Sequence, residues 1–276
     1  MGLTERIGVD LGRKLPVEDG IAWAAANGVS YIDAELDLTP NALEPFDEAR
    51  CRRVREACAG AGIHLGLHTL SAVNVAEVSP FLRDAADDYL RAYIDAAKRL
   101  EAEWIVVHAG YHFTADRRPR MEAALERLKR AADYAERRGA LLRLENLNWE
   151  PERAEVHYLA HNVEEAVYFL ARIDSPALGW SFTVNHATLV PEGIDGTLDA
   201  MPLARCGEVR LADNNGEYEV HLKPGEGIID FGALFRRLEG EGFRGHYMCA
   251  FGSPDDMLAG RAYMVEAARR AGVPVE

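Results

Sequence analysis

Trp104-Ile105-Val106-Val107-His108 is a short apolar run closed by a histidine, and the same arrangement recurs along the whole 276-residue chain. Ile63-His64-Leu65-Gly66-Leu67 runs into His68, and Leu141-Leu142-Arg143-Leu144 into Glu145. Leu178-Gly179-Trp180-Ser181-Phe182 is followed by His186, and Val209-Arg210-Leu211-Ala212 by Asp213. Short, near-continuous apolar runs are the mark of strands buried on both faces. If the strands are parallel and close into one barrel, the polar residues that end them meet at its C-terminal mouth, where such barrels keep their chemistry.

Outward from these runs, strand and helix signals alternate without a break or linker. The strands are expected at Ile7–Leu11, Tyr31–Leu36, His64–Leu70, Trp104–His108, Leu141–Glu145, Leu178–Phe182, Val209–Ala212 and Tyr247–Phe251. Between them lie helical patterns at Pro16–Asn27, Pro45–Ala61, Phe81–Leu100, Arg118–Arg138, Val163–Ile173, Phe231–Glu241 and Pro254–Ala271, with a weaker one near Leu198–Leu203. Met121, Ala124, Leu125, Leu128 and Ala131 keep helical spacing in the fourth. Gly28, Gly62, Gly139, Gly242 and Gly272 stand where helices should stop. Eight such units over residues 1–276 predict a single (β/α)8 TIM barrel, about the usual length for one. A doubly wound open sheet is the competing fold. It would want a glycine-rich phosphate loop after the first strand, and Asp10-Leu11-Gly12-Arg13 is not one. No nucleotide cofactor is therefore expected. The longest connections, 69–80, 111–117, 146–162 and 214–230, all follow strands on the catalytic side, where loops shape pockets.

The bulk properties narrow the classes. A net charge of −14 argues against binding nucleic acid by its phosphates. The opening Met1-Gly2-Leu3-Thr4-Glu5-Arg6 carries no secretory signal, and no run reaches the roughly 18 apolar residues of a membrane helix, so a cytoplasmic protein is expected. Cys51, Cys58, Cys206 and Cys249 form no Cys-x-x-Cys pair. The first two are about 10 Å apart on one helix, so reduced thiols are expected.

His68, His108 and Glu145, at the ends of three strands, make a two-histidine, one-carboxylate set suited to a divalent metal with open positions. Arg143 could instead pair with Glu145 in a structural ion pair. His186, Glu219 and His221 form a second group, because an extended Glu219-Val220-His221 puts both side chains on one face. That group could hold a metal, orient a sugar hydroxyl or simply stabilise a loop. His64, His112, His157, His161 and His246 read as ordinary loop, surface or core histidines.

His221-Leu222-Lys223-Pro224-Gly225-Glu226-Gly227-Ile228-Ile229-Asp230-Phe231 resembles the H-x-x-x-G-E-G-x-x-D-F loop of the sugar-phosphate isomerase/epimerase family, the xylose-isomerase-like barrels related to apurinic endonucleases. Leu144-Glu145-Asn146, His186-Ala187 and Val209 to Asn214 fall in the matching order, so the resemblance spans essentially the whole chain. It implies a central metal held by residues at positions 145, 183, 210 and 250. Here these are Glu145, Thr183, Arg210 and Ala250, so one ligand of four is present. His68, His108 and Glu145 resemble one flanking zinc site, and His186, Glu219 and His221 another.

The resemblance implies an isomerase, epimerase or lyase acting on a sugar, keto sugar or polyol by proton transfer next to a carbonyl. Glu145 would be the base, and His186 and His221 would hold hydroxyls. Arg210, with Lys223, would stabilise the enolate oxygen, while Tyr111, Phe113 and Trp149 would wall the pocket. Zinc or manganese is the implied metal, and a homo-oligomer the implied assembly. The alternatives are a catalytically depleted barrel that binds a small molecule and, favoured only by the two histidine groups, repair of abasic DNA.

Overall fold

The computed structural model describes residues 2–43 and 46–276, so the expected helix start at Pro45 and the first residue lie outside it. A short helix α1 (Leu3–Arg6) leads into the first strand; its Thr4 backbone N–H bonds Val275 O near the other terminus. The barrel strands are β1 (Ile7–Gly12), β2 (Tyr31–Ala34), β3 (His64–His68), β4 (Trp104–Val107), β6 (Leu142–Glu145), β8 (Leu178–Thr183), β9 (Cys206–Leu211) and β10 (His246–Cys249). They are all parallel and close in the order β1-β10-β9-β8-β6-β4-β3-β2, one (β/α)8 barrel. β5 (Tyr111–Phe113) and β7 (Val156–Tyr158) form an antiparallel pair outside the barrel that joins two of the long loops.

The helices are α2 (Val17–Ala26), α3 (Glu48–Ala61), α4 (Arg83–Leu100), α5 (Arg117–Arg138), α6 (Val163–Arg172), α7 (Val184–Ala187), α8 (Gly193–Ala200), α9 (Phe231–Gly240) and α10 (Pro254–Arg270). Local chemistry sets their ends. The side chains of Asp47, Asn162, Asp230 and Ser253 accept from first-turn N–H groups, and all five expected terminal glycines have positive φ. The weak pattern near Leu198–Leu203 lies instead over α8, which starts at Gly193. α7 and the β5–β7 pair are too short to leave a periodic signal.

Register shows how the runs are used. Successive side chains point to opposite sides, so Ile7, Val9, Ile32, Leu65, Leu67, Ile105, Leu144, Phe182, Val209 and Leu211 face the helices and build the main core. The alternate positions face into the barrel. There, among the described residues, Trp104, Val106 and Met248, with Tyr31, form an apolar cluster. Asp10, Asp33, Glu145, Ser181, Glu208 and Arg210 also face the interior, where branched aliphatic residues usually dominate. The expected burial on both faces is observed, although much of the inner face is polar. β9 begins three residues before its expected start because Glu208, paired with Ser181 and His246, is a strand residue despite its charge. The four cysteines are free and buried. Among the described residues no helix is long and apolar enough to cross a membrane.

Candidate active site

Two histidine–carboxylate clusters meet at the mouth. His68 at the end of β3 and His108 just past β4 turn toward Glu145, the last residue of β6. His68 Nε2 and His108 Nε2 are 3.2 Å apart, and they lie 3.4 and 3.0 Å from Glu145 Oε2. Tautomers follow from the outer contacts. The Thr69 hydroxyl donates to Val106 O, so it accepts from His108 Nδ1 at 3.2 Å and leaves the Nε2 lone pair facing inward. His68 Nδ1 has Asp33 Oδ2 at 3.8 Å behind it.

The second cluster is built from loops. His186 on α7 has Nδ1 2.7 Å from Asn146 O, and His221 has Nδ1 2.5 Å from Ala250 O. Carbonyls only accept, so both rings carry hydrogen on Nδ1 and aim Nε2 lone pairs at Glu219 Oε1, 3.2 and 2.7 Å away. Glu219 Oε2 is buried without a hydrogen-bond partner. Asp213 shapes the loop that carries both residues, because its buried carboxylate accepts from the backbone N–H of Asn214, Gly225, Gly227 and Ile229. A Cβ on Gly227 would lie 2.3 Å from both Asn214 O and Asp213 Oδ1, so only glycine fits that turn.

Lone pairs and a carboxylate converging on one point repel unless a cation sits there. Ligands about 2.0–2.1 Å from a tetrahedral ion lie about 3.3 Å apart, close to these spacings. His108, His186 and His221 also have an outer hydrogen-bond partner on Nδ1, as metal-bound histidines do. Both His/His/Glu groups therefore fit a divalent ion.

The barrel centre does not. Arg210 Nη1 donates to Asp33 Oδ2 at 2.8 Å and Glu208 Oε1 at 3.1 Å, Nη2 to Asp10 Oδ2 at 2.5 Å, and Nε lies 4.0 Å from Glu145 Oε1. Thr183 Oγ1 donates to Glu145 Oε1 at 2.5 Å, and Ala250 offers no ligand. A permanent cation with its own carboxylates fills the position where the resemblance puts a metal.

The charges hold one another. Burial pushes Glu145 and Glu219 up, but without an ion, when the rings carry hydrogen on Nε2, bonds from His108 and His68, and from His186 and His221, outweigh it. Glu145 falls well below the usual range and Glu219 to about 2. Burial likewise raises Asp10, and Arg210 and Lys14 bring it down to about 2. Asp33, sealed from solvent beside the Asp10 charge, is pushed up to about 7. Burial would raise Glu208, yet Arg210 and His246 hold it at about 2.

A carboxylate depressed in the fold contributes stability that is complete above its unfolded pKa of 4.5 and is lost as pH falls toward 2. For Glu208 that contribution is on the order of 3 kcal/mol. Glu208→Gln should therefore lose less stability than wild type between pH 5 and 2, measured by urea unfolding at pH 7 and 3. Equal losses would mean Glu208 does not drive the acid limb.

Of the expected site residues, His68, His108, Glu145, His186, Glu219, His221 and Arg210 come together. Lys223 instead turns its ammonium to Asp256 Oδ1 at 2.7 Å on the rim. Trp149 is half-buried on the loop leaving β6. Tyr111 meets Tyr158 and Phe113 edge-on. Arg143 does not pair with Glu145. It lies two residues earlier on the same strand and pairs with no carboxylate among the described residues. Asp10, Asp33, Glu208 and Thr69 were not anticipated. The available signal was a charge at alternate, inward positions of apolar runs, as in Val9-Asp10-Leu11 and Ile32-Asp33-Ala34.

Comparison with known proteins agrees with this architecture. An uncharacterised protein of Methanocaldococcus jannaschii is 28% identical over 183 residues, which cover 63% of this chain but only 59% of that relative's length. The structure superposes on a D-tagatose 3-epimerase-like protein with TM-score 0.81 at 21% identity, covering 97% of this chain and 98% of the other. It also superposes on the D-psicose 3-epimerase of Clostridium cellulolyticum, solved with D-tagatose, with TM-score 0.79 at 16% identity over 97% and 99% of the two chains. Residues 21–270 match the family described as xylose isomerase-like TIM barrels, and the chain belongs to that family.

Proposed function

We propose that the protein is a sugar or keto-sugar epimerase or isomerase that moves a proton on the carbon next to the carbonyl. The observation that carries this reading is Glu145, a carboxylate closing the fifth barrel strand at a mouth flanked by both histidine clusters. Glu145 is the base. His68, His108 and Glu145 would hold one divalent ion, zinc or manganese, and His186, Glu219 and His221 another; when bound, such ions polarise substrate oxygens as Lewis acids. Arg210 replaces the central ion's charge and holds Glu145, Asp10 and Asp33 in place. Its fork is spent on carboxylates, so it stabilises an enolate through its field rather than by direct contact. Trp149, Tyr111 and Tyr158 limit water at the mouth, and Lys223 acts at its rim.

The substrate is a small carbohydrate rather than nucleic acid, given the acidic chain. The protein is taken to work in the cytoplasm, as a homo-oligomer and without a nucleotide. A second reading, a barrel that binds a sugar without turning it over, is favoured by Thr183, Arg210 and Ala250 at three central ligand positions.

Metal content by mass spectrometry and epimer formation from D-tagatose, D-psicose and D-fructose, followed by NMR, separate the two. The expected result is turnover with at least one equivalent of bound metal, and loss of about one equivalent in His221→Ala. Binding of a sugar without turnover, after incubation with zinc and with manganese, would establish the second reading.

A further inference from the structure

We propose that Asp10 is the second proton-transfer group of this mouth, supplying from β1 the carboxylate that Ala250 does not supply from β10. The proposal rests on the proton-transfer reading above. Inverting a carbon next to a carbonyl requires a proton to leave one face and another to arrive on the opposite face. One carboxylate cannot reach both without moving.

Five observations place Asp10 in that role. Gly8 pairs with Met248 and Val9 with Cys249, so one step on Asp10 stands level with Ala250 on the neighbouring strand, both on the inner face. β1 lies four strands from β6 in either direction, through β10, β9 and β8 or through β2, β3 and β4, so Asp10 and Glu145 face each other across the barrel. The same guanidinium lies between them, Nη2 2.5 Å from Asp10 Oδ2 and Nε 4.0 Å from Glu145 Oε1, and forms a floor under a substrate. Of the three carboxylates on that fork, Asp33 and Glu208 have fully buried side chains while Asp10 keeps 18% exposure. The β1–β2 pairing also slips between Asp10 and Gly12, a bulge of the kind that re-aims a side chain.

The step balances. Glu145 takes the proton from one face; the C–H electron pair becomes the carbon–carbon π bond, and the carbonyl π pair moves to oxygen as an enolate. The enolate places a new negative charge near Asp10, which lets this resting carboxylate take a proton from solvent at the exposed mouth and deliver it to the opposite face as the carbonyl reforms. Glu145 then releases its proton to solvent, and both carboxylates are ionised again. The reverse direction exchanges the two roles.

The test is made on whole protein in deuterium oxide, with both members of a keto-sugar epimer pair, D-fructose and D-psicose. Wild type should form product that carries deuterium at the inverted carbon, while the starting epimer recovered early is unlabelled. Asp10→Asn should lose inversion by 100-fold or more, yet still exchange the proton of the one epimer whose C–H faces Glu145. Moving the carboxylate to the next strand, in Asp10→Ala with Ala250→Glu, should restore at least a tenth of the inversion rate. A residue that merely holds Arg210 would slow exchange of both epimers together, and that outcome overturns the proposal. Normal inversion in Asp10→Asn overturns it alone. Wild-type product retaining the substrate's own hydrogen does so too, without any variant needing to fold. Wild type that neither exchanges nor inverts either sugar overturns the proton-transfer reading and this proposal with it.

Discussion

Arg210→Met should lower stability by about 3–5 kcal/mol, because removing one partner of a buried ionic network leaves the others uncompensated. At roughly 2–4 °C per kcal/mol for a chain of this size, melting should fall by about 10 °C. Asp33 and Glu208 are sealed from solvent, and in wild type the guanidinium touches both. The variant should also steepen the pH dependence that Asp33, at about 7, already gives wild type. Without the cation, the buried carboxyls titrate above their unfolded values, and the folded state then binds more protons than the unfolded chain. Stability should therefore rise more steeply as pH falls from about 7 to 5 than in wild type, where Asp33 titrates near 7 but Arg210 keeps Asp10 and Glu208 ionised, their contributions lost only below about 4.5. Thermal melts at pH 7 and 5 check both halves. A variant that melts like wild type at pH 7 would show that the guanidinium is not what balances the interior.

Glu145→Gln should lower kcat by about 1,000-fold, in the range attributed to a positioned general base. The amide keeps the shape of the side chain and can still receive the Thr183 hydroxyl, so the fold should persist. It offers no anionic oxygen to His68 and His108, which stand 3.4 and 3.0 Å from Glu145 Oε2, so about one equivalent of bound metal should leave with the activity. Steady-state kinetics beside metal analysis reads both effects. Retention of more than a tenth of wild-type kcat would remove Glu145 from the chemistry.

Much of the site was legible because its signals are local. Glu145, His68 and His108 stand at strand ends, and a strand end in a parallel barrel has one destination. Glu219 and His221 are two apart, so an extended segment makes them neighbours whatever surrounds it. Lys223 is the counterexample. It follows the same motif, yet Asp256, far along the chain at the start of α10, takes its charge. Arg143 is another. A cation two residues from Glu145 on the same strand lies in a lower layer of the barrel, out of reach of that carboxylate. The β5–β7 pair and α7 were missed because elements of three or four residues leave no period to read.

Alternating strands and helices, polar strand ends and glycine stops are set by neighbours in the chain, so sequence alone determined the barrel, its mouth and the two histidine clusters. Only the tertiary structure decided what fills the centre. Arg210 meets Asp33 from 177 residues away and Asp10 from 200. Each of these residues is an isolated charge in an apolar run until the barrel closes. Closure turns the inner faces of β1, β2 and β9 on one another, and a charge that cannot reach water must then find a partner of opposite sign.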